Sequence, residues 1–134
     1  MDKILGECLC GNVKFEVENE FDKFHLCHCK QCQRATGSAH ASNLFTRVDN
    51  INWLAGADSI KRYDVPNRMI SNAFCSECGS GLPYLSLSGK ALIIPAGCLN
   101  GKPKLSPQNN IFWSQRAEWY DAALLANPVA KFAD

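Results

Sequence analysis

Apolar and charged side chains alternate along Val13-Lys14-Phe15-Glu16-Val17-Glu18, the two-residue period of a strand with one face on a core and the other in water. Further short β-type runs occur at residues 24–27, 51–54, 60–63, 69–74, 91–95 and 110–113, with Gly, Pro, Asn, Asp and Ser gathered in the stretches between them, where turns select such residues. Their spacing predicts an all-β architecture. Helical patterning is confined to a turn or two at 31–35 and to 119–126, which stops before Asn127-Pro128 because a proline biases its predecessor away from the helix. Residues 99–109 read as the longest surface loop. No repeat, low-complexity stretch or linker divides the chain, and 134 residues match the usual size of one domain. One domain over residues 1–134 is the expectation.

Composition narrows the function. Fourteen Lys and Arg against thirteen Asp and Glu leave a formal charge of +1, too little to drive binding to a phosphate backbone. Nucleic acid is therefore not an expected partner. The opening residues Met1-Asp2-Lys3-Ile4-Leu5-Gly6 contain no apolar signal segment, and no membrane-length apolar run follows. A soluble, cytoplasmic protein with no membrane partner is expected; the sequence does not set the oligomeric state. Eight cysteines in a reducing compartment then read as metal ligands in preference to disulfides.

Seven of these cysteines are clustered: Cys8 and Cys10; Cys27, Cys29 and Cys32; Cys75 and Cys78. In C-x-x-C the chain turns two thiolates toward one metal, and in C-x-C on an extended strand the two side chains share a side. Gly11 follows Cys10 and Gly79 follows Cys78, where a tight turn favours a residue that accepts positive φ. Spacing alone leaves two groupings open. One is a zinc ribbon of Cys29, Cys32, Cys75 and Cys78. The other joins Cys8 and Cys10 to Cys75 and Cys78 and leaves Cys27, Cys29 and Cys32 around a second zinc, whose open fourth position would suit catalysis.

The order GECLCGNVKFEV (6–17), HLCHCKQCQRATGS (25–38) and NAFCSECGSGL (72–82) resembles the glutathione-dependent formaldehyde-activating enzymes and their relatives around centromere protein V. The likeness runs from about Gly6 to about Trp119, and Cys27-His28-Cys29-Lys30-Gln31-Cys32 is its most specific part. The resemblance implies a β-tent, an all-β arrangement of small antiparallel sheets with little helix. It also implies two zinc ions per chain: a structural one on Cys8, Cys10, Cys75 and Cys78, and a catalytic one on Cys27, Cys29 and Cys32. The implied activity is that of a carbon–sulfur lyase, with glutathione as thiol partner and S-hydroxymethylglutathione as product. The alternative is a zinc-stabilised binding module without turnover, since fold does not fix function. The closing stretch SPQNNIFWSQRAEW also fits, except that Asn110 stands where the family pattern leads one to expect His.

Other residues carry weaker signals. Cys98, solitary, reads as a small buried hydrophobe. His28 should point away from the sulfurs of its neighbours and occupy the surface or support the ligands from behind. His25 and His40 have no ligand spacing. Phe112, Trp53, Trp113 and Trp119 read as core. Lys30 and Arg34 could attract the carboxylates of glutathione or be ordinary surface charge, and Thr36 and Ser38 flank a turn at Gly37.

Overall fold

The computed structural model describes residues 2–132. The alternating segment forms β2 (Lys14–Glu18), which lies between β1 (Lys3–Glu7) and β5 (Asn52–Ala55) in an antiparallel three-stranded sheet. Phe15 and Val17 go to the core while Lys14 and Glu16 keep the other face. A second sheet of five strands has the order β10-β3-β4-β9-β8, from β3 (Lys23–Cys27), β4 (Ala41–Thr46), β8 (Tyr84–Leu85), β9 (Leu92–Pro95) and β10 (Asn109–Ile111). A third sheet pairs β6 (Ile60–Asp64) with β7 (Ser71–Cys75). The expected all-β architecture of small sheets is what the chain adopts. One pairing departs from the antiparallel expectation: β10 runs parallel to β3, because the chain returns from far along the sequence to reach that edge.

Ile4, Phe15 and Val17 from the first sheet, with Val13 just before β2, join Phe24, Leu44, Leu92 and Ile94 from the second and Leu82 in one buried cluster. Burying this apolar surface is the main favourable term in folding. Cys8 and Cys75 belong to the same buried cluster. Gly6 faces Phe15 across the β1–β2 pair, and the aromatic ring occupies the space that a side chain at Gly6 would need.

Helix is scarce. The expected turn near Gln31 is α1 (Lys30–Thr36), ended by Gly37 at φ 64°. The expected helix at 119–126 shrinks to α2 (Tyr120–Ala123). The strand foreseen at 69–74 begins later, at Ser71, and the one foreseen at 110–113 stops at Ile111, after which Phe112 takes φ 54° and turns the chain away. That turn overturns the core reading for three aromatics: Phe112 is 55% exposed, Trp113 38% and Trp119 56%. They sit beyond an edge strand and not over the sheet. Trp53 is partly buried and meets the Phe15 ring edge-on at 5.6 Å. Among the described residues no helix is long and apolar enough to cross a membrane.

Candidate metal centres

Cys8 and Cys10 lie at the turn after β1, and Cys75 and Cys78 at the turn after β7. Both turns have one build. The N–H of Gly11 donates to the Cys8 carbonyl at 3.0 Å, the N–H of Gly79 donates to the Cys75 carbonyl at 2.8 Å, and both glycines have φ 79°, the positive value foreseen for them. Ser80 joins the two turns: its hydroxyl oxygen accepts from the Leu9 N–H at 2.8 Å and lies 3.3 Å from the Cys78 sulfur. That contact heads the causes that draw the Cys78 thiol down to about 5.

The four sulfurs all lie within 4.8 Å of one another. Tetrahedral zinc with Zn–S bonds of about 2.3 Å sets its sulfurs about 3.8 Å apart, and here Cys8 to Cys10 is 3.6 Å and Cys10 to Cys75 is 3.9 Å. The donor set fits zinc in number, type and spacing. Backbone N–H groups of Val13 and Glu77 donate to the Cys8 and Cys75 sulfurs at 3.2 and 3.4 Å.

Cys27 ends β3, Cys29 caps α1 and Cys32 sits in its first turn. These three sulfurs also lie within 4.8 Å of one another and fit a metal with one ligand position to spare. The clusters divide the cysteines as 8, 10, 75 and 78 against 27, 29 and 32, so the ribbon grouping is ruled out by distance. Cys27 and Cys29 are buried and Cys32 is half-buried. The Cys29 sulfur accepts from the Cys32 N–H at 3.3 Å. Burial, and then the neighbouring Cys29 and Cys27 sulfurs, push the Cys32 thiol upward.

His28 is fully buried, correcting the surface part of its expected placement. Its backbone N–H donates to the Ile111 carbonyl at 2.9 Å, and its ring Nε2 donates to Asn110 Oδ1, also at 2.9 Å. The rings of His40, Trp113 and Tyr120 close around it edge-on at 4.8–5.1 Å. Asn110, the departure from the family pattern, thus holds the imidazole between two of the clustered cysteines. His40, passed over in the sequence for lack of spacing, is part of this nest, and its side chain lies 3.0 Å from Ser42 Oγ. Burial pushes the solitary Cys98 thiol up to about 12, in keeping with an inert, core-like cysteine.

Lys30, Gln33, Arg34 and Gly37 recur at intervals of three and four along α1 and so share one helix face. With Ser38 and Trp119 they line a shallow cleft. Cys29 and Cys32 lie on a different face, which turns Lys30 and Arg34 away from the sulfurs they follow in sequence.

Fold and clusters together define a class: a small all-β protein able to hold metal at one complete and one incomplete set of thiols. The model of the family described as glutathione-dependent formaldehyde-activating enzyme matches residues 3–115, and the chain belongs to that family. A crystal structure of a Rhodobacter sphaeroides protein is similar at a TM-score of 0.60 and 26% identity, over 75% of this chain and 91% of that one. No curated protein matches the chain.

Proposed function

We propose that the chain is a zinc-dependent carbon–sulfur lyase of the formaldehyde-activating type, a one-domain enzyme of the cytoplasm acting on glutathione and on neither nucleic acid nor membrane. Cys8, Cys10, Cys75 and Cys78 hold a structural zinc; Cys27, Cys29 and Cys32 hold a catalytic one. The observation that carries this reading is the unequal sulfur count of the two clusters, since four thiolates complete a tetrahedral site and three leave room for a substrate. Family membership supports glutathione and formaldehyde as the reactants. Zinc at the second cluster would supply a lowered thiol pKa, making thiolate available at neutral pH.

The rest falls to the chain's own residues. Cys27 and Cys29 are buried and Cys32 is half-buried, so the three sulfurs sit recessed in the protein, with the fourth ligand position left to the thiol. His28, fixed by Ile111 and Asn110, holds the Cys27–Cys29 segment still. The addition joins the glutathione sulfur to the aldehyde carbon, and the thiol proton ends on the new hydroxyl oxygen. Thiolate supply and orientation are its chief needs.

Cobalt(II)-loaded protein titrated with glutathione should gain sulfur-to-metal charge-transfer absorption, and Cys32→Ser should abolish that gain. Glutathione and formaldehyde should also combine faster than in buffer, in proportion to protein added. An unchanged spectrum at saturating glutathione would remove thiol binding from this cluster and leave a zinc-stabilised module without turnover.

A further inference from the structure

The turn that carries the three clustered sulfurs leaves backbone groups that a helix beginning at Lys30 does not pair. The first bond of α1 runs from the Gln33 N–H to the Cys29 carbonyl, at 3.0 Å, so the His28 carbonyl and the Lys30 N–H fall outside its ladder. Two glutamines take them. The side-chain amide of Gln33 donates to the His28 carbonyl at 2.8 Å, and Oε1 of Gln115 accepts from the Lys30 N–H at 3.1 Å. The glutamines are also tied to each other: the Gln33 amide nitrogen, which has two hydrogens to give, donates to the Gln115 carbonyl at 3.0 Å.

This clasp brackets the sulfurs. His28 stands between Cys27 and Cys29, and Gln33 directly follows Cys32, so one side chain closes a loop over residues 28–33, which hold Cys29 and Cys32 and begin just after Cys27. Gln115 ends the short turn Trp113–Gln115, and the Trp113 ring also walls the imidazole of His28. The segment that brings the Ile111 carbonyl to the His28 N–H therefore grips the ligand turn again at Lys30 and Gln33. These bonds end on backbone groups and not on sulfur. What they fix is where Cys29 and Cys32 stand relative to Cys27, which ends β3.

We propose that Gln33 and Gln115 are positioning residues of the three-sulfur site, holding Cys29 and Cys32 within reach of Cys27 before a metal arrives. The proposal rests on the reading of Cys27, Cys29 and Cys32 as a metal site. Ligands bind a metal more weakly when the chain must first order itself around it, because that ordering offsets part of the binding free energy. A helix of seven residues is too short to hold its own first turn in water, and the clasp adds the constraint that length does not. The four-sulfur site has ties of its own, through the N–H groups of Gly11 and Gly79 and the hydroxyl of Ser80.

The test measures zinc affinity by competition with a chromogenic chelator in the native chain, in Gln33→Met and in Gln115→Met, which keep side-chain length and remove the amide. Cys32→Ser, which removes one ligand, identifies which of the zinc affinities belongs to the three-sulfur site. In Gln33→Met that site should bind zinc about tenfold more weakly, the lower end of the loss expected when a group that orients metal ligands is removed, with the four-sulfur site unchanged. Gln115→Met keeps its backbone carbonyl for Gln33 and should weaken the site by less. Of the ligand-field bands of the cobalt(II)-loaded protein, those missing from Cys32→Ser should shift in Gln33→Met, a mark of altered sulfur placement that a general loss of stability does not produce. Native affinity and native bands in both variants overturn the clasp and leave the metal site standing. So does equal weakening of both sites. If Cys32→Ser binds zinc as the native chain does, the metal site falls and the clasp with it. Should Gln33→Met fail to fold, Gln115→Met, at an exposed position, decides by the same comparison.

Discussion

Cys75 belongs to two environments at once, as one of four clustered sulfurs and as a fully buried member of the apolar core. Cys75→Ser should therefore lose both metal and packing, giving insoluble or much less stable protein. Cys32→Ser, at a half-buried position outside that core, should stay folded with less bound metal. Thermal melting and metal content of the two variants check this, and equal destabilisation would contradict the division of roles. Asn110→Ala would leave the His28 Nε2–H without its partner in a fully buried site. That should cost about 1–3 kcal/mol in denaturant unfolding, the usual penalty for a stranded polar group. Burial, aided by His28, holds His40 below the ordinary imidazole range. The folded state favours neutral His40, so its contribution is complete above the unfolded value of about 6.5 and is lost as pH falls through the folded value. The stability of His40→Gln should decline less steeply over that acidic range than that of the native chain; parallel curves would remove His40 from the account. The seven clustered cysteines were legible in sequence because metal bonding restricts spacing. The nest around His28 was not, since its walls come from residues 40, 113 and 120.

At the scale of elements, the β1–β2 pair depends on a missing side chain. Because Phe15 lies across Gly6, Gly6→Ala must push the ring or the strand aside, at about 1–3 kcal/mol for overpacking. Adding Phe15→Leu should recover part of that loss. Unfolding curves of the single and double variants give the answer, and simple additivity would mean that the two residues do not compete for space. The alternating β2 was plain in the sequence, and α1 was placed within one residue at either end. The central strand β4 was missed because Ala41-Ser42-Asn43-Leu44-Phe45-Thr46 mixes polar residues into both faces. Only Leu44 and Thr46 combine the core-side phase with deep burial, and Asn43 projects to the open face. The end of β10 was missed as well, since a non-glycine residue at positive φ, Phe112, leaves no mark in a hydrophobic pattern.

For the whole molecule, the closed cluster ties the turn after β1 to the turn after β7, so a metal there should contribute folding free energy. The three-sulfur cluster spans only a strand end and one helical turn. Chelator should accordingly remove metal in two phases, the first with little change in circular dichroism and the second with unfolding. Release in one step together with the fold would argue against separate roles. Spacing left the partition of the cysteines open, because it cannot say which distant turns meet; the resemblance implied the partition and the sulfur distances agree with it. Chain order also has a consequence for how the protein is born. During synthesis the N-terminal parts emerge first, and all four sulfurs of the closed cluster have left the ribosome once Cys78 is out. The seat of His28 waits for Asn110 and Ile111, because β10 is the last strand to arrive and pairs with the early β3. On the proposed reading, a nascent chain can thus bring together its four-sulfur site before the nest around His28 is finished.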